Sequence, residues 1–332
     1  MSQHATGPKF PFTTLVELLR WRALHQPDRH AYTFVLDGES KEARLTYAEL
    51  DRQARAIAAR LQARGTQRER VLLLYPSGLE YIAAFFGCLY AGAMAVSAYP
   101  PRHNRSLSRL QAMAADAQAT LALTTTNILS RLDKIEVLPE AVNLNTLQWL
   151  ATDSMSNSMD NLADGWKEPS INSDTLAFLQ YTSGSTARPK GVMISHGNLL
   201  YNNRMVQQAF EQTENSTFVG WLPLFHDMGL IGNVLQPLFL GSACILMSPE
   251  AFLMKPWRWL QAVSRYRAHT SGGPNFSYDL CVRKITPEQR TTLDLSCWQV
   301  AFNGAEPVRH ATLERFARTF EPCGFRREAF YP

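Results

Sequence analysis

The stretch Tyr181-Thr182-Ser183-Gly184-Ser185-Thr186-Ala187-Arg188-Pro189-Lys190-Gly191 carries the strongest signal in the chain. It lies between two apolar segments, 176–181 and 192–195, that are short enough to be strands. Small residues let a backbone approach a ligand closely, and consecutive N–H groups can form an anion-binding nest. Hydroxyls add donors and Lys190 adds a point charge, so the stretch predicts a phosphate-binding loop between two strands.

Two other interpretations of this loop are disfavoured by its sequence. A Walker A loop needs glycine directly before the lysine and Ser or Thr after it, whereas Pro189 and Gly191 occupy those places here. A polar surface turn is the plainer interpretation, because Ser, Thr, Gly and Pro often form turns. The particular order of the residues favours phosphate binding over the surface turn.

Helical and strand patterns alternate on the amino-terminal side of the loop. A T-x-x-E capping box at Thr46 opens a predicted helix that ends near Gly65, and an apolar strand without alternation, 71–75, follows it. A helix that ends near Gly92, strand 94–98, helix 107–117 and strand 120–123 repeat this order. Strands that alternate with helices are typical of a parallel sheet covered on both faces.

The same alternation resumes after a segment, 153–173, that is rich in Ser, Asn, Asp and Met and is predicted to be a linker or surface loop. Strands are predicted at 176–181, 192–195, 218–222, 243–247 and 298–302, and helices at 198–210, 256–266 and 308–320. The predicted fold is therefore α/β, with two successive lobes of largely parallel sheet covered by helices, 1–170 and 171–332.

Composition excludes several classes of protein. The 332 residues are 45% apolar and 19% charged, which suits a soluble protein with a sizeable core. A net charge of +4 without dense basic clusters argues against nucleic-acid binding. Five scattered cysteines are typical of buried free thiols in a reducing compartment. The uncharged stretch 81–101 is broken by Gly and Pro, so we expect no membrane span and a cytoplasmic protein.

Three further segments are candidates for a site. The segment 221–230, WLPLFHDMGL, follows a predicted strand and contains His226 and Asp227, although a lone histidine is more often structural. The segment 302–307, FNGAEP, is a small-residue turn at the carboxyl end of a strand, which is where open α/β sheets bind ligands. A simple strand-to-helix turn would explain it as well, and a tight turn would explain the glycines of 271–280, SGGPNFSYDL.

The loop and these segments resemble the adenylate-forming superfamily of acyl-CoA synthetases, luciferases, peptide-synthetase adenylation domains and fatty acyl-AMP ligases. The resemblance runs from about Phe12 onward, and the stretch from Gly220 to Arg309 is most similar to the fatty acyl-AMP ligases. One position departs from the family pattern, since Ala187 stands where the family usually has glycine. The resemblance implies the N-terminal domain of such an enzyme, without its C-terminal lid domain, and we therefore expect the 332-residue chain alone not to turn over.

The resemblance also implies a set of site residues. His226 and Lys190 are implied to be catalytic, and Thr186 to hold Mg²⁺. The residues implied to bind ATP are Thr182, Ser183, Gly184, Ser185, Thr186, Lys190, Gly191, Asn303, Gly304, Ala305 and Glu306. Those implied to bind the acid are Trp221, His226, Asp227, Met228, Ile231, Gly273 and Asn275.

The activity implied is ATP- and Mg²⁺-dependent conversion of a fatty acid to acyl-adenylate, followed by transfer to an acyl carrier protein in lipid, polyketide or lipopeptide synthesis. An acyl-CoA synthetase using coenzyme A, an amino-acid adenylation domain, and a fragment that only binds nucleotide or acyl-adenylate remain alternatives. A serine hydrolase built on Ser183 is disfavoured because the chain has no G-x-S-x-G elbow. The scattered histidines likewise disfavour a metalloenzyme.

Overall fold

Helices and strands alternate along the chain in a computed structural model that describes residues 11–99, 104–132, 147–154, 159–182 and 189–332. The strands are β1 (His30–Val35), β2 (Glu42–Thr46), β3 (Arg70–Leu74), β4 (Met94–Ala98), β5 (Leu121–Thr124), β6 (Gln148–Ala151), β7 (Leu176–Thr182), β8 (Lys190–Ser195), β9 (Phe218–Gly220), β10 (Cys244–Met247), β11 (Thr270–Gly273), β12 (Val300–Asn303) and β13 (Phe330–Tyr331).

The helices of the first half are α1 (Leu15–His25), α2 (Tyr47–Gln62), α3 (Leu79–Tyr90), α4 (Asn104–Ala117), α5 (Thr126–Leu132) and α6 (Met159–Asp164). Those of the second half are α7 (His196–Ala209), α8 (Asp227–Leu230), α9 (Gln236–Leu240), α10 (Pro249–Met254), α11 (Trp257–Arg265), α12 (Asn275–Lys284), α13 (Pro287–Arg290) and α14 (His310–Phe320). A π-helical turn, Ile231–Leu235, joins α8 to α9.

The strands form two sheets. The first sheet has the order β6-β5-β3-β4-β7-β8, and the second has the order β13-β12-β11-β9-β10-β1-β2. Neighbouring strands are parallel except in the two edge pairs, β7 with β8 and β1 with β2. Helices such as α3, whose residues from Tyr81 to Tyr90 are all buried, pack against the sheets. The predicted α/β fold of two largely parallel sheets covered by helices is confirmed.

The two sheets do not follow the predicted division at residue 170. β7 and β8 lie beyond that residue but extend the first sheet, with Ala95 of β4 opposite Phe178 of β7. Conversely, β1 lies near the start of the chain but belongs to the second sheet, with Tyr32 opposite Cys244 of β10. β1 buries residues on both of its faces, and pairing with β10 supplies the cover that such a strand needs. The chain therefore crosses between the sheets, and residue 170 does not separate them.

The segment predicted to be a linker, 153–173, contains the short helix α6, so that part of the prediction is wrong. Arg55 of α2 donates to the carbonyl of Ala163 at 3.1 Å. Trp166 donates its Nε1–H to the carbonyl of Tyr90 at 2.8 Å. These contacts fix the segment against α2 and α3, although its polar composition gives no periodic signal.

The cysteines are free and mostly buried, as predicted. All five cysteines lie within the described residues and are free, and four of them are buried, with Cys297 partly exposed. Burial raises the pKa of Cys88, Cys244 and Cys281, which keeps these thiols protonated and unreactive at neutral pH.

A buried histidine connects the amino-terminal helix to α7. His196 is 1% exposed, and its Nδ1 accepts the N–H of Leu15 at 3.3 Å. Burial lowers the pKa of His196 to about 4, against an ordinary value of 6.5. The neutral imidazole is therefore part of the folded state.

Acidification is expected to destabilise the fold through His196. Because the pKa is lower in the folded state, the unfolded chain binds more protons, and the free energy of unfolding falls as pH drops from about 6.5 towards 4. The contribution of this residue amounts to about 2 kcal/mol between pH 7 and pH 5. Urea unfolding at the two pH values, compared with His196→Asn, measures it. Asparagine can still accept the N–H of Leu15 but does not titrate. If the free energy of unfolding fell equally in both proteins between pH 7 and pH 5, His196 would not be the source of the pH dependence.

Candidate active site

The carboxyl ends of strands from both sheets face one cleft. The segment after β9 spans it, since the N–H of Leu224 donates to Ser77 Oγ, just beyond β3, at 3.2 Å. On the same side, Gln180 of β7 donates to the carbonyl of Phe225 at 3.4 Å. Open α/β sheets bind ligands at the carboxyl ends of their strands. The segment 221–230 is therefore held between the two sheets at the expected place for a site.

His226 and Asp227 form a hydrogen-bonded pair at the start of α8. His226 Nδ1 lies 2.6 Å from Asp227 Oδ1, and about half of each side chain is exposed. The N–H of Met228 lies 2.7 Å from Asp227 Oδ1 but 3.3 Å from His226 Nδ1. We assign the Met228 N–H to the carboxylate and the Nδ1 proton to His226. This tautomer leaves Nε2 available to a ligand.

The two side chains also change each other's pKa. The hydrogen bond that His226 donates to Asp227 raises the pKa of His226 above 6.5, more than its partial burial lowers it. The same bond lowers the pKa of Asp227. The carboxylate of Asp227 thus makes His226 easier to protonate than an isolated histidine, and in the imidazolium form Nε2 is a donor that faces the cleft.

Substituting Asp227 by asparagine is expected to lower the pKa of His226, because an amide no longer favours the imidazolium. The histidine should then lose its proton at a lower pH than in the unmodified protein. An NMR titration of the His226 ring in both proteins measures the shift without depending on turnover. Glu306→Gln serves as the matched control, since it neutralises another exposed carboxylate at the cleft. An unchanged His226 titration in Asp227→Asn would contradict the assignment.

A cavity of about 570 Å³ runs beside the second sheet, and we call it the second-sheet cavity. This volume is within the usual range for small-molecule sites. Its lining is mostly apolar and comprises Val206, Phe210, Gln212, Phe218, His226, Asp227, Met228, Ile231, Gly232, Gln236, Thr270, Phe302 and Ala305. The predicted acid-binding residues His226, Asp227, Met228 and Ile231 are therefore brought together.

A second cavity, of about 430 Å³, lies at the carboxyl ends of β4 and β7, and we call it the first-sheet cavity. Its lining comprises Ser97, Ala98, Tyr99, Arg109, Leu110, Met113, Gln180, Tyr181, Thr182, Phe225, His226 and Asp227. His226 and Asp227 line both cavities and so form a wall between them. The predicted phosphate-loop residue Thr182 lies on the first-sheet side of this wall.

The loop predicted to bind phosphate connects β7 to β8, and its position between two strands is as predicted. Thr182 pairs with Lys190 across the antiparallel ladder, and both residues are exposed. Gly191 makes room for Tyr181, because a Cβ at that position would lie 3.0 Å from the tyrosine ring. Tyr181 in turn donates to Asp116 at 2.6 Å. Ser183, Gly184, Ser185, Thr186 and Ala187 lie outside the described residues.

The turn after β12 reaches the same cleft. Ala305 lines the second-sheet cavity with a φ of 65°, in the left-handed region that costs an alanine about 1 kcal/mol or more. A Cβ at Gly304 would lie 3.5 Å from the methyl group of Met228. Asn303 is 3% exposed, and neither polar atom of its side-chain amide has a partner among the described residues. Glu306 accepts the N–H of Phe276 at 2.6 Å.

Three predicted acid-binding residues line neither cavity. Trp221 is buried and stacks on Phe252 at 3.9 Å between ring centroids. Gly273 packs on Trp221, since a Cβ there would lie 2.6 Å from the indole ring. Asn275 donates to Thr312 at 3.3 Å and accepts the N–H of Arg309 at 3.0 Å, so its amide is used to hold the chain beyond β12. These three residues therefore serve the packing and positioning of the chain and line neither cavity.

No sequence motif predicted the polar end of the second-sheet cavity. Gln212, Gln236 and Thr270 line it and are each 3% exposed or less. Gln236 stands in an otherwise apolar run, 234–240, and a lone amide in such a run is a signal that could have indicated it. Gly232, which also lines the cavity, gave no signal.

The described part of the chain contains no helix of the length and apolarity needed to span a bilayer. The stretch 81–101 instead forms α3 and β4 as predicted, with Pro100 and Pro101 outside the described residues. Nor do the described side chains include a cluster of three or more His, Cys, Asp or Glu that could hold a metal ion.

The fold and the loop-flanked cleft define an adenylate-forming enzyme domain, and the chain belongs to the AMP-binding enzyme family, whose model matches residues 19–326. It is 50% identical over 324 residues to the medium-chain fatty acid–acyl-carrier-protein ligase JamA of Moorena producens, covering 97% of this chain and 54% of that protein. It is 36% identical over 351 residues to the similarly named TtuA of Teredinibacter turnerae. That match covers 96% of this chain and 55% of TtuA.

The chain is also similar to solved structures of fatty acyl-adenylate ligases. A fatty acyl-adenylate ligase of L. pneumophila, solved in complex with acyl adenylate and pyrophosphate, is 43% identical with a TM-score of 0.89. The match covers 97% of this chain and 55% of that one. The chain thus spans about half the length of the relatives it matches.

Proposed function

We propose that the complete protein activates a fatty acid with ATP, forming acyl-adenylate and pyrophosphate. The observation that carries the proposal is the wall formed by His226 and Asp227. On one side lies a mostly apolar cavity suited to an acyl chain, and on the other lies Thr182 at the start of the phosphate loop. A carboxylate held at the wall would face phosphates held by the loop.

The reaction we propose joins these two anions. A carboxylate oxygen attacks the α-phosphorus of ATP, the acyl–phosphate bond forms, and the bond to pyrophosphate breaks. His226 orients the carboxylate, and Lys190 neutralises charge that develops on the phosphates. The two ends of the loop and the turn 303–306 contribute to nucleotide binding. The protein's own part is to align the two substrates and to stabilise charge.

The nucleotide would be bound as a magnesium complex. Mg²⁺ takes most of its ligands from substrate phosphates and water, so a site with few protein ligands suits it. The hydroxyl chemistry of Thr182 at the described end of the loop is compatible with such a complex, and Thr186, outside the described residues, remains the proposed protein ligand. Bound Mg²⁺ would supply charge neutralisation on the phosphates.

The proposed acceptor of the acyl group is the thiol of an acyl carrier protein. The thiol attacks the acyl carbonyl, a thioester forms, and AMP leaves. Support comes from two relatives, JamA and TtuA, whose names specify a fatty acid and an acyl carrier protein. We further propose that the 332 residues alone turn over far more slowly than the complete natural polypeptide, because interactions that stabilise one transition state act as a unit.

ATP–pyrophosphate exchange with the complete polypeptide tests the function. Fatty acids should support exchange much faster than amino acids, and the reverse ranking would indicate an amino-acid adenylation domain. Transfer to a phosphopantetheinylated carrier protein should exceed transfer to free coenzyme A, whereas preferred use of coenzyme A would indicate an acyl-CoA synthetase. Assaying the 332 residues beside the complete polypeptide tests the dependence on the rest of the protein.

A further inference from the structure

The deep end of the second-sheet cavity is closed by three hydrogen-bonded polar side chains, which we call the polar floor. Gln236 Nε2 donates to Gln212 Oε1 at 2.9 Å, and Gln212 Nε2 donates to Thr270 Oγ1 at 3.1 Å. The three residues are 1%, 3% and 2% exposed, respectively. Phe218, next to Thr270 across the sheet, is 1% exposed and completes the closure. The cavity therefore ends in a buried layer joined by two side-chain hydrogen bonds, in which Gln236 Oε1 has no partner among the described residues.

The distance from the cleft to the polar floor follows from the strand geometry. Thr270 is the first residue of β11 and Gly273 the last, whereas Ala305 and His226 mark the cavity at the carboxyl end of the sheet. Three steps of about 3.3 Å along a strand give a depth of roughly 10 Å. An acyl chain of medium length fits this depth, and a long chain does not.

We propose that the polar floor sets the longest acyl chain that the protein accepts, which makes Gln212, Gln236 and Thr270 residues that determine chain-length specificity. The inference rests on the proposed function and refines it. A longer chain would have to separate the two glutamines, and an apolar tail cannot replace their hydrogen bonds. Buried amides left without partners are costly, so long acids would be excluded rather than accommodated.

The wall of the cavity offers a second way to alter its length. Gly232 lies in the π-helical turn and lines the cavity, and a Cβ built there meets no described heavy atom within 4 Å. A large side chain at this position would therefore occupy cavity space without displacing backbone. The glycine therefore leaves this part of the cavity wall open.

The test measures kcat/KM for acyl-AMP formation by the complete polypeptide with straight-chain acids from hexanoic to stearic. Gly232→Phe should shift the preference towards shorter acids, and Gln236→Ala should shift it towards longer ones. We expect the ratio of long-chain to medium-chain kcat/KM to fall at least tenfold in Gly232→Phe and to rise at least tenfold in Gln236→Ala. A tenfold change is the usual effect of one methylene group more or less in an apolar pocket. Gly232→Ala adds only a methyl group and should shift the profile in the same direction as Gly232→Phe but by less.

Gln207→Ala is the matched control for the polar floor, because Gln207 donates to the backbone carbonyl of Gln212 but does not line the cavity. Thermal unfolding of each variant verifies that it is folded. If Gln236→Ala does not fold, the chain-length profile of Gly232→Phe alone tests whether the length of the cavity sets the preference. Fatty-acid activation with an unchanged length profile in the folded variants overturns this inference alone. An unmodified protein that adenylates no fatty acid overturns the proposed function as well.

Discussion

Replacing Lys190 by alanine is expected to lower kcat/KM for ATP by on the order of a hundredfold, the usual cost of removing one charge-stabilising group from a transition state. Lys190 is exposed at the start of β8, opposite Thr182, so its side chain stands where the loop returns to the sheet. An exposed side chain of this kind contributes little to the fold, and the free energy of unfolding should change by less than about 0.5 kcal/mol.

Pyrophosphate exchange at varied ATP concentration measures the effect. Lys284→Ala, which removes an exposed lysine at the end of α12, is the matched control and should retain full activity. Ser185→Ala, within the loop but outside the described residues, should also weaken ATP use. Normal exchange kinetics in Lys190→Ala and Ser185→Ala together would remove the phosphate-loop assignment.

Much of the fold could be predicted because several elements carry local signals. Thr46 accepts the N–H of Glu49 at 3.2 Å, and Glu49 accepts the N–H of Thr46 at 2.8 Å, as the T-x-x-E pattern predicts. The strand 94–98 was predicted with the bounds that the structure shows for β4. Uninterrupted apolar runs between helices mark strands buried on both faces, and such runs leave little choice of structure.

Other elements depend on contacts that are distant along the chain. Nothing local to β1 indicates that it pairs with β10, about two hundred residues later, since the pairing is decided by burial in the finished sheet. Close approach to a ligand and a tight turn both remain open for the glycines of 271–280 from the sequence, but Thr270–Gly273 forms β11, where a Cβ at Gly272 would lie 2.2 Å from the carbonyl oxygen of Phe302. The small residues there serve close packing between neighbouring strands.

The sequence predicts which segments of the chain form the candidate site, but not which of their side chains line it. The segments around His226 and Asn303 do converge on one cleft. Trp221 and Asn275, however, line neither cavity, whereas Gln212 and Gln236 line the second-sheet cavity. Which side of a segment faces a cavity depends on the packing of its neighbours, which sequence spacing does not specify. The π-helical turn at Ile231–Leu235 adds to this, because it changes the rotation of the residues that follow it.

The aromatic cluster behind the cavity is where we expect the largest loss of stability. Trp259 of α11 is fully buried, and its ring centroid lies 5.8 Å from that of Trp221 and 5.4 Å from that of Trp298. Its Nε1–H donates to Ser271 Oγ at 2.8 Å, and that hydroxyl donates to the carbonyl of Val219 at 2.7 Å. The indole thus joins α11 to β9 and β11, the two strands whose carboxyl ends lead into the cleft.

Trp259→Ala is expected to lower the free energy of unfolding by about 4 kcal/mol, since it removes a large buried side chain and leaves a cavity that the neighbouring rings fill only in part. Urea unfolding measures this loss. Trp257→Ala is the matched control on the same helix, where the indole is partly exposed and lies under the Lys255 ammonium at 4.8 Å. It should cost about 1 kcal/mol. If the two variants lost equal amounts of unfolding free energy, the buried aromatic cluster would not be what holds α11 against the sheet.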